Sequence, residues 1–158
     1  MGKKSGPNPT DRAKSGTKRS LLTDGRGVPL AVVIAGANQN DFKLLDPTLK
    51  ALMVARPEPT AVKPQGLCLD KGYDFAEVYE LLEREGYTAH IRPVGECSLV
   101  AERKPEHRPR RWVVERTHSW MNRFRAILIR WQKGADSFLG LVQLACALIT
   151  LKQAGLLG

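Results

Sequence analysis

Apolar and polar positions divide the chain into short, readable segments. Thr17 to Thr23 reads as a strand, and Asp24-Gly25-Arg26-Gly27 is a hairpin signal, because Asp-Gly tolerates the positive φ of a tight turn. Val28 to Ala37 is nearly unbroken apolar, the pattern of a central strand covered on both faces. After a polar connection over 38–41, Asp46 caps and Pro47 opens a predicted helix running to about Ala55. Pro57, Pro59 and Pro64 make 56–65 a loop. Gly66 to Leu69 predicts a short buried strand that ends on Asp70. Asp74 and Glu77 form a capping-box-like start to an amphipathic helix through Val78, Leu81 and Leu82, which Gly86 stops. Tyr87 to Arg92 is a further strand, ended by Pro93.

Residues 94–109 are polar and loop-like, and a long helix is expected from near Arg110. Val113, Trp120, Phe124, Ile127 and Trp131 follow at spacings of 7, 4, 3 and 4, one face of a 3.6-residue helix. Asp136 or Ser137 caps a final helix whose apolar run, Phe138 to Leu151, holds 14 residues interrupted by Gln143. That run is short of the ~20 residues that cross a bilayer and reads as a buried core helix. The order is strand, strand, helix, strand, helix, strand and two helices, which predicts a mixed α/β sheet with helices packed on it.

Composition agrees with a packed domain: 158 residues, 42% of them hydrophobic, support one core. Three cysteines, Cys68, Cys97 and Cys146, lie too far apart for a metal knuckle or a disulfide framework, which fits a reducing cytosol. His90, His107 and His118 have no metal-ligand spacing. The basic start lacks an apolar stretch, so no secretory signal is expected, and a cytoplasmic, nucleoid-associated protein without membrane contact follows.

Charge changes the picture more. The net +9 is concentrated, with six basic side chains and one acidic in residues 1–20 and ten against two in residues 103–133. Between them, residues 21–102 carry eight basic and twelve acidic groups. Residues 1–17, with Gly2, Gly6, Pro7, Pro9 and Gly16, read as an extended basic arm, and the second block is dominated by Arg, which suits bidentate phosphate contact. Two basic blocks around an acidic middle are expected where part of a surface meets a polyanion such as double-stranded DNA.

Two carboxylates stand out within this pattern. Asp70 directly follows a buried strand and so lies at the carboxyl edge of a sheet, where open α/β folds hold ligands. Glu115 lies in a strongly basic helix and shares a face with Arg111 and Asn122, at helical spacings of 4 and 7. Read locally, Asp70 is a turn or cap residue and Arg111–Glu115 a surface pair. Read together, carboxylates at a sheet edge and on a helix, surrounded by Arg, can hold Mg²⁺ that stabilises the attacking and leaving oxygens of a phosphodiester.

Four blocks carry a resemblance. They are Gly6-Pro7-Asn8-Pro9-Thr10-Asp11-Arg12 with Lys14 and Gly16, Leu22-Thr23-Asp24-Gly25-Arg26-Gly27, Asp70-Lys71-Gly72-Tyr73-Asp74, and Arg111-Trp112-Val113-Val114-Glu115-Arg116-Thr117 through Trp120-Met121-Asn122-Arg123-Phe124-Arg125. Nearly the whole chain thereby resembles the DDE transposases of bacterial insertion sequences, families four and five. The resemblance implies an RNase H-like fold whose mixed sheet presents an Asp-Asp-Glu triad to two divalent metals, Mg²⁺ or Mn²⁺. Asp70 matches the second Asp, Glu115 the third acid, and Arg111 the basic residue one turn before it. Asn122 occupies the place, seven residues after the Glu, where the family often has Lys or Arg.

In similar transposases the first Asp lies on an opening strand upstream of the Gly-Pro-Asn-Pro-Thr block, which begins here at Gly6. The expectation is therefore the C-terminal part of a catalytic domain, residues 18–158, that lacks the opening strand and the first Asp and is inactive alone. Lys14, Lys18, Arg19, Arg111, Arg116, Arg123 and Arg125 are the expected DNA-binding residues, with terminal inverted repeats as the DNA. An upstream transposase fragment or a second copy of the chain is the expected protein partner. The alternative is a non-catalytic DNA-binding protein or transposition inhibitor.

Overall fold

A computed structural model describes residues 4–9, 12, 14–92 and 111–157. The predicted loop over 94–109, the helix start at Arg110, Asp11 and the side chain of Arg111 lie outside the described residues. The chain forms two compact units, one of Met1–Met53 with Val113–Gly158 and one of Val54–Trp112.

The first unit is built on three antiparallel strands, β1 (Gly6–Pro7), β2 (Ser15–Thr23) and β3 (Pro29–Gly36), in that order. The arm is thus partly tied down: Gly6 pairs with Gly16 and Pro7 with Ser15. The predicted β2–β3 hairpin is present, with Arg19 opposite Ile34 and Leu21 opposite Val32. Because neighbours along a strand point to opposite faces, Arg19 and Leu21 share a face with Val32 and Ile34, while Lys18 and Ser20 share the other with Val33 and Ala35.

Each face has its own cover. Asp41–Leu44 is a 3₁₀ turn leading into α1 (Leu45–Lys50), which buries Leu45, Thr48 and Leu49. The hydroxyls of Thr48 and Ser20 meet at 2.8 Å on this side. α1 ends about one turn earlier than the pattern to Ala55 predicts, since Met53 and Val54 find no apolar partner and stay exposed. Asp46 lies inside the helix, paired with Lys50 at 2.8 Å, rather than capping it.

The opposite face carries the core. The Val113–Trp131 pattern is not one helix but two, α3 (Arg111–Met121) and α4 (Arg125–Leu128), separated at Asn122–Phe124. The last helix, α5, spans Ala135–Gln153 and starts at Gly134, ahead of the expected Asp136 or Ser137 cap. Val32 and Ile34 pack with Met121, Ile127, Phe138, Val142, Ala145, Cys146 and Ile149, flanked by Leu21, Trp120 and Phe124. Trp131 is left outside, 77% exposed, because the break between α3 and α4 takes it off the predicted face. By length and composition α5 could cross a bilayer, yet its inner face packs in this core.

The second unit pairs β4 (Gly66–Leu69) and β5 (Thr88–Ile91) in parallel, joined through a 3₁₀ turn at Lys71–Tyr73 and α2 (Ala76–Arg84). α2 buries Val78 and Leu82, and Gly86, at φ +70°, reverses the chain after it as predicted. No side chain caps its start; the Asp74 carboxylate accepts from the Tyr79 hydroxyl at 3.0 Å. Together the two units make a mixed α/β protein of small sheets and several helices.

Candidate functional site

Asp70 is the first residue beyond β4, at the carboxyl end of a parallel strand pair. Its extended backbone, φ −72° and ψ 160°, turns the chain into the 3₁₀ turn. There its Oδ1 accepts from the Lys71 amide at 2.7 Å and its carbonyl from the Tyr73 amide at 2.9 Å. The side chain is exposed at the sheet edge, where a carboxylate can reach a ligand.

Glu115 is exposed on α3, two residues from buried Val113 on one side and buried Thr117 on the other. Two residues are about 200° of helix rotation, so the packed face of α3 and Glu115 look in opposite directions. Thr117 is 0% exposed and donates to the Gly27 carbonyl at 2.7 Å. Arg116 donates to the Arg26 carbonyl and lies over the Trp120 ring, 5.0 Å from its centre.

At the other end of α3, Arg19 reaches across from β2 and donates to Asn122 Oδ1 at 2.9 Å. Burial lowers the pKa of this guanidinium, and its Nη1 is buried without a hydrogen-bond partner among the described residues. Beside it His118 is held below the usual imidazole pKa, first by burial and then by the charge of Arg19. Burial pushes the Cys146 thiol up to about 11, with Arg19 pulling the other way.

The expected DNA-binding residues of the first unit fall into two groups. Lys14, Arg123 and Arg125 are exposed. Lys18, Arg19 and Arg116 are half-buried: Lys18 pairs with Asp41 at 2.9 Å, and the other two hold α3. Arg130, outside that set, donates to Thr17 Oγ1 at 2.7 Å and to the Gln132 carbonyl at 2.9 Å. The bonds of Arg130 to Thr17 and of Thr117 to Gly27 span 113 and 90 residues, so no local spacing reveals them.

Asp70 and Glu115 offer hard oxygen donors of the type Mg²⁺ takes. Asp24, a third carboxylate in the matched blocks, is engaged in its own turn, its Oδ1 accepting from the Arg26 and Val28 amides at 2.8 Å each. Among the described residues no three His, Cys, Asp or Glu side chains are grouped to hold a metal ion.

Comparison with known proteins gives the family. The family model described as the transposase DDE domain matches residues 2–150. A protein of Burkholderia cepacia assigned as transposase for insertion sequence element IS402 is 39% identical over 161 aligned positions, which cover 96% of this chain and 72% of the relative. No solved structure matches the chain. The chain, a mixed α/β protein, belongs to the DDE transposases of insertion sequences.

Proposed function

We propose that the chain takes part in DNA transposition, with Asp70 and Glu115 as two acids of a DDE site in an RNase H-like domain formed by residues 18–158. Residues 1–17 serve as its basic arm. The observation that carries the reading is Glu115, held outward from a helix anchored on its opposite side by a fully buried Thr117. Asp70, exposed at the carboxyl end of β4, supports it from the second unit. Mg²⁺ or Mn²⁺ bound to these carboxylates would supply positive charge to the attacking and leaving oxygens. Lys14, Arg123 and Arg125, with Arg111, would hold the phosphates of terminal-repeat DNA, and the protein would act in the cytoplasm on the nucleoid.

Asp24 is engaged in its turn, so the reading assigns the triad's first acid to a strand supplied in cis or in trans, and residues 1–158 alone should not cleave DNA. The test is cleavage of terminal-repeat DNA with Mn²⁺ or Mg²⁺. Silence of the chain by itself is expected, with nicking once an Asp-bearing strand is added and loss again in Asp70→Ala and Glu115→Ala. Strong cleavage by residues 1–158 that disappears on mutating Asp11 or Asp24 would overturn the assignment of the first acid. A second reading, a DNA-binding protein or transposition inhibitor, is favoured by exposed Arg123 and Arg125, which need no metal to hold phosphate. It predicts undiminished DNA binding in chelator and no cleavage under any complementation.

A further inference from the structure

The turn between β2 and β3 does more than reverse the chain. Asp24 closes it from inside: Oδ1 takes the Arg26 and Val28 amides, the carbonyl takes the Gly27 amide at 3.0 Å, and the Asp24 amide reaches the Val28 carbonyl at 3.0 Å. With its amides directed inward, the turn offers the carbonyls of Arg26 and Gly27 outward. Both are taken by α3, through Arg116 and Thr117. These are the two residues that directly follow Glu115.

The approach is close enough to dictate the residue at its centre. Gly27 has φ +84°, a left-handed conformation that side chains disfavour. A Cβ there would sit 2.9 Å from Thr117 Oγ1 and 3.2 Å from Arg116 Nη2. Backbone conformation and available space therefore both require glycine. The partner hydroxyl belongs to one of the most deeply buried side chains in the unit.

We infer that the Asp24–Gly27 turn is a positioning socket for Glu115, with Thr117 and Gly27 fixing the rotation and height of α3 so that the carboxylate is presented at one place. The inference rests on the reading of Glu115 as a catalytic acid. Side chains of an α-helix end ~5 Å from its axis, so a rotation of ~10° moves a carboxylate by about 1 Å. A displacement of that size is enough to cost ~100-fold in rate at a catalytic centre. A buried hydrogen bond to a backbone carbonyl of a closed turn resists that rotation, because it is directional where apolar packing is not.

The test separates position from activity. In the 158-residue chain with Cys68, Cys97 and Cys146 replaced, nitroxides at Glu115→Cys and Lys50→Cys report the place of residue 115 within the first unit. Thr117→Ser, which keeps the hydroxyl, should leave the distance distribution unchanged. Thr117→Val, which keeps the shape and removes the donor, should shift or broaden it, and Asp24→Ala should do the same by loosening the turn from the other side. In cells carrying the complete insertion sequence, Thr117→Val should lower excision ten- to a hundredfold at unchanged protein level, with Thr117→Ser within twofold of wild type. An unchanged distribution and unchanged excision in both Thr117→Val and Asp24→Ala would overturn the socket. Normal excision in Glu115→Gln, alongside a shifted distribution in Thr117→Val, would overturn the role of Glu115 and leave the anchor as a structural contact.

Discussion

Arg19 on β2 donates to Asn122 at the exit of α3, 2.9 Å across 103 residues of sequence, and this bond joins the hairpin to the helix that carries Glu115. It places a guanidinium beside His118 and Cys146, two groups whose neutral forms it and its surroundings favour differently. For His118, burial and the Arg19 charge both oppose protonation. For Cys146, burial opposes ionisation and Arg19 partly offsets it.

Stability should accordingly fall at both ends of the pH scale. His118 has a folded pKa below its unfolded one, so its contribution is present above an unfolded value of about 6.5 and is lost as pH falls through the folded value. Cys146 has the opposite sign: its contribution is present below an unfolded value of about 9 and is lost as pH rises toward 11. Urea midpoints measured across pH should show a plateau between these limits. His118→Gln should flatten the acid limb alone, and an unchanged acid limb in that variant would assign the loss to other groups.

DNA affinity should be electrostatic and shared unequally among the basic residues. Each neutralised phosphate contributes about −0.9 to the slope of log affinity against log salt. Arg123→Glu and Arg125→Glu should weaken binding to any sequence and make the slope shallower by roughly one unit per lost contact. Lys18→Ala should change the slope less, because Lys18 is paired with Asp41. Fluorescence anisotropy over a salt series measures both, and a flat salt response would remove phosphate contact as the basis of binding.

The core and the exposed aromatic should respond in opposite ways to truncation. Met121 is 0% exposed between β3 and α5, so Met121→Ala should cost about 2–5 kcal/mol of unfolding free energy. Trp131→Ala should leave the denaturation midpoint nearly unchanged. Equal losses in the two variants would mean that Trp131 is packed in solution.

Much of this was legible in the sequence because it depends on near neighbours. Asp24-Gly25 predicts the hairpin and Gly86 the end of α2, and both are present; the apolar run of Val28 to Ala37 forms a strand covered on two faces, but at the end of the strand order β1-β2-β3 rather than at its centre. Helix ends were less legible. The 113–131 periodicity runs through a break at Asn122–Phe124, with Phe124 and Ile127 still packed on the core, and α1 stops where Met53 and Val54 are exposed. Asp70 and Glu115 were singled out from local context, a carboxylate after an apolar strand and an acid in a basic helix, although β4 buries only Leu67 and is not the buried strand expected. The contacts that hold the helix of Glu115 were not, because Thr117 with Gly27 and Arg19 with Asn122 meet across about 90 and 103 residues that no local spacing encodes.

The central claim is that Asp70 and Glu115 act as one unit on DNA, and excision of the complete insertion sequence in Asp70→Asn, Glu115→Gln and the double variant tests it most directly. Residues that serve a single step are not additive in their losses. All three variants should therefore fall to the same floor, at least ~1,000-fold below wild type, with DNA binding retained. Excision near wild type in either single variant, or losses that multiply in the double, would contradict the claim.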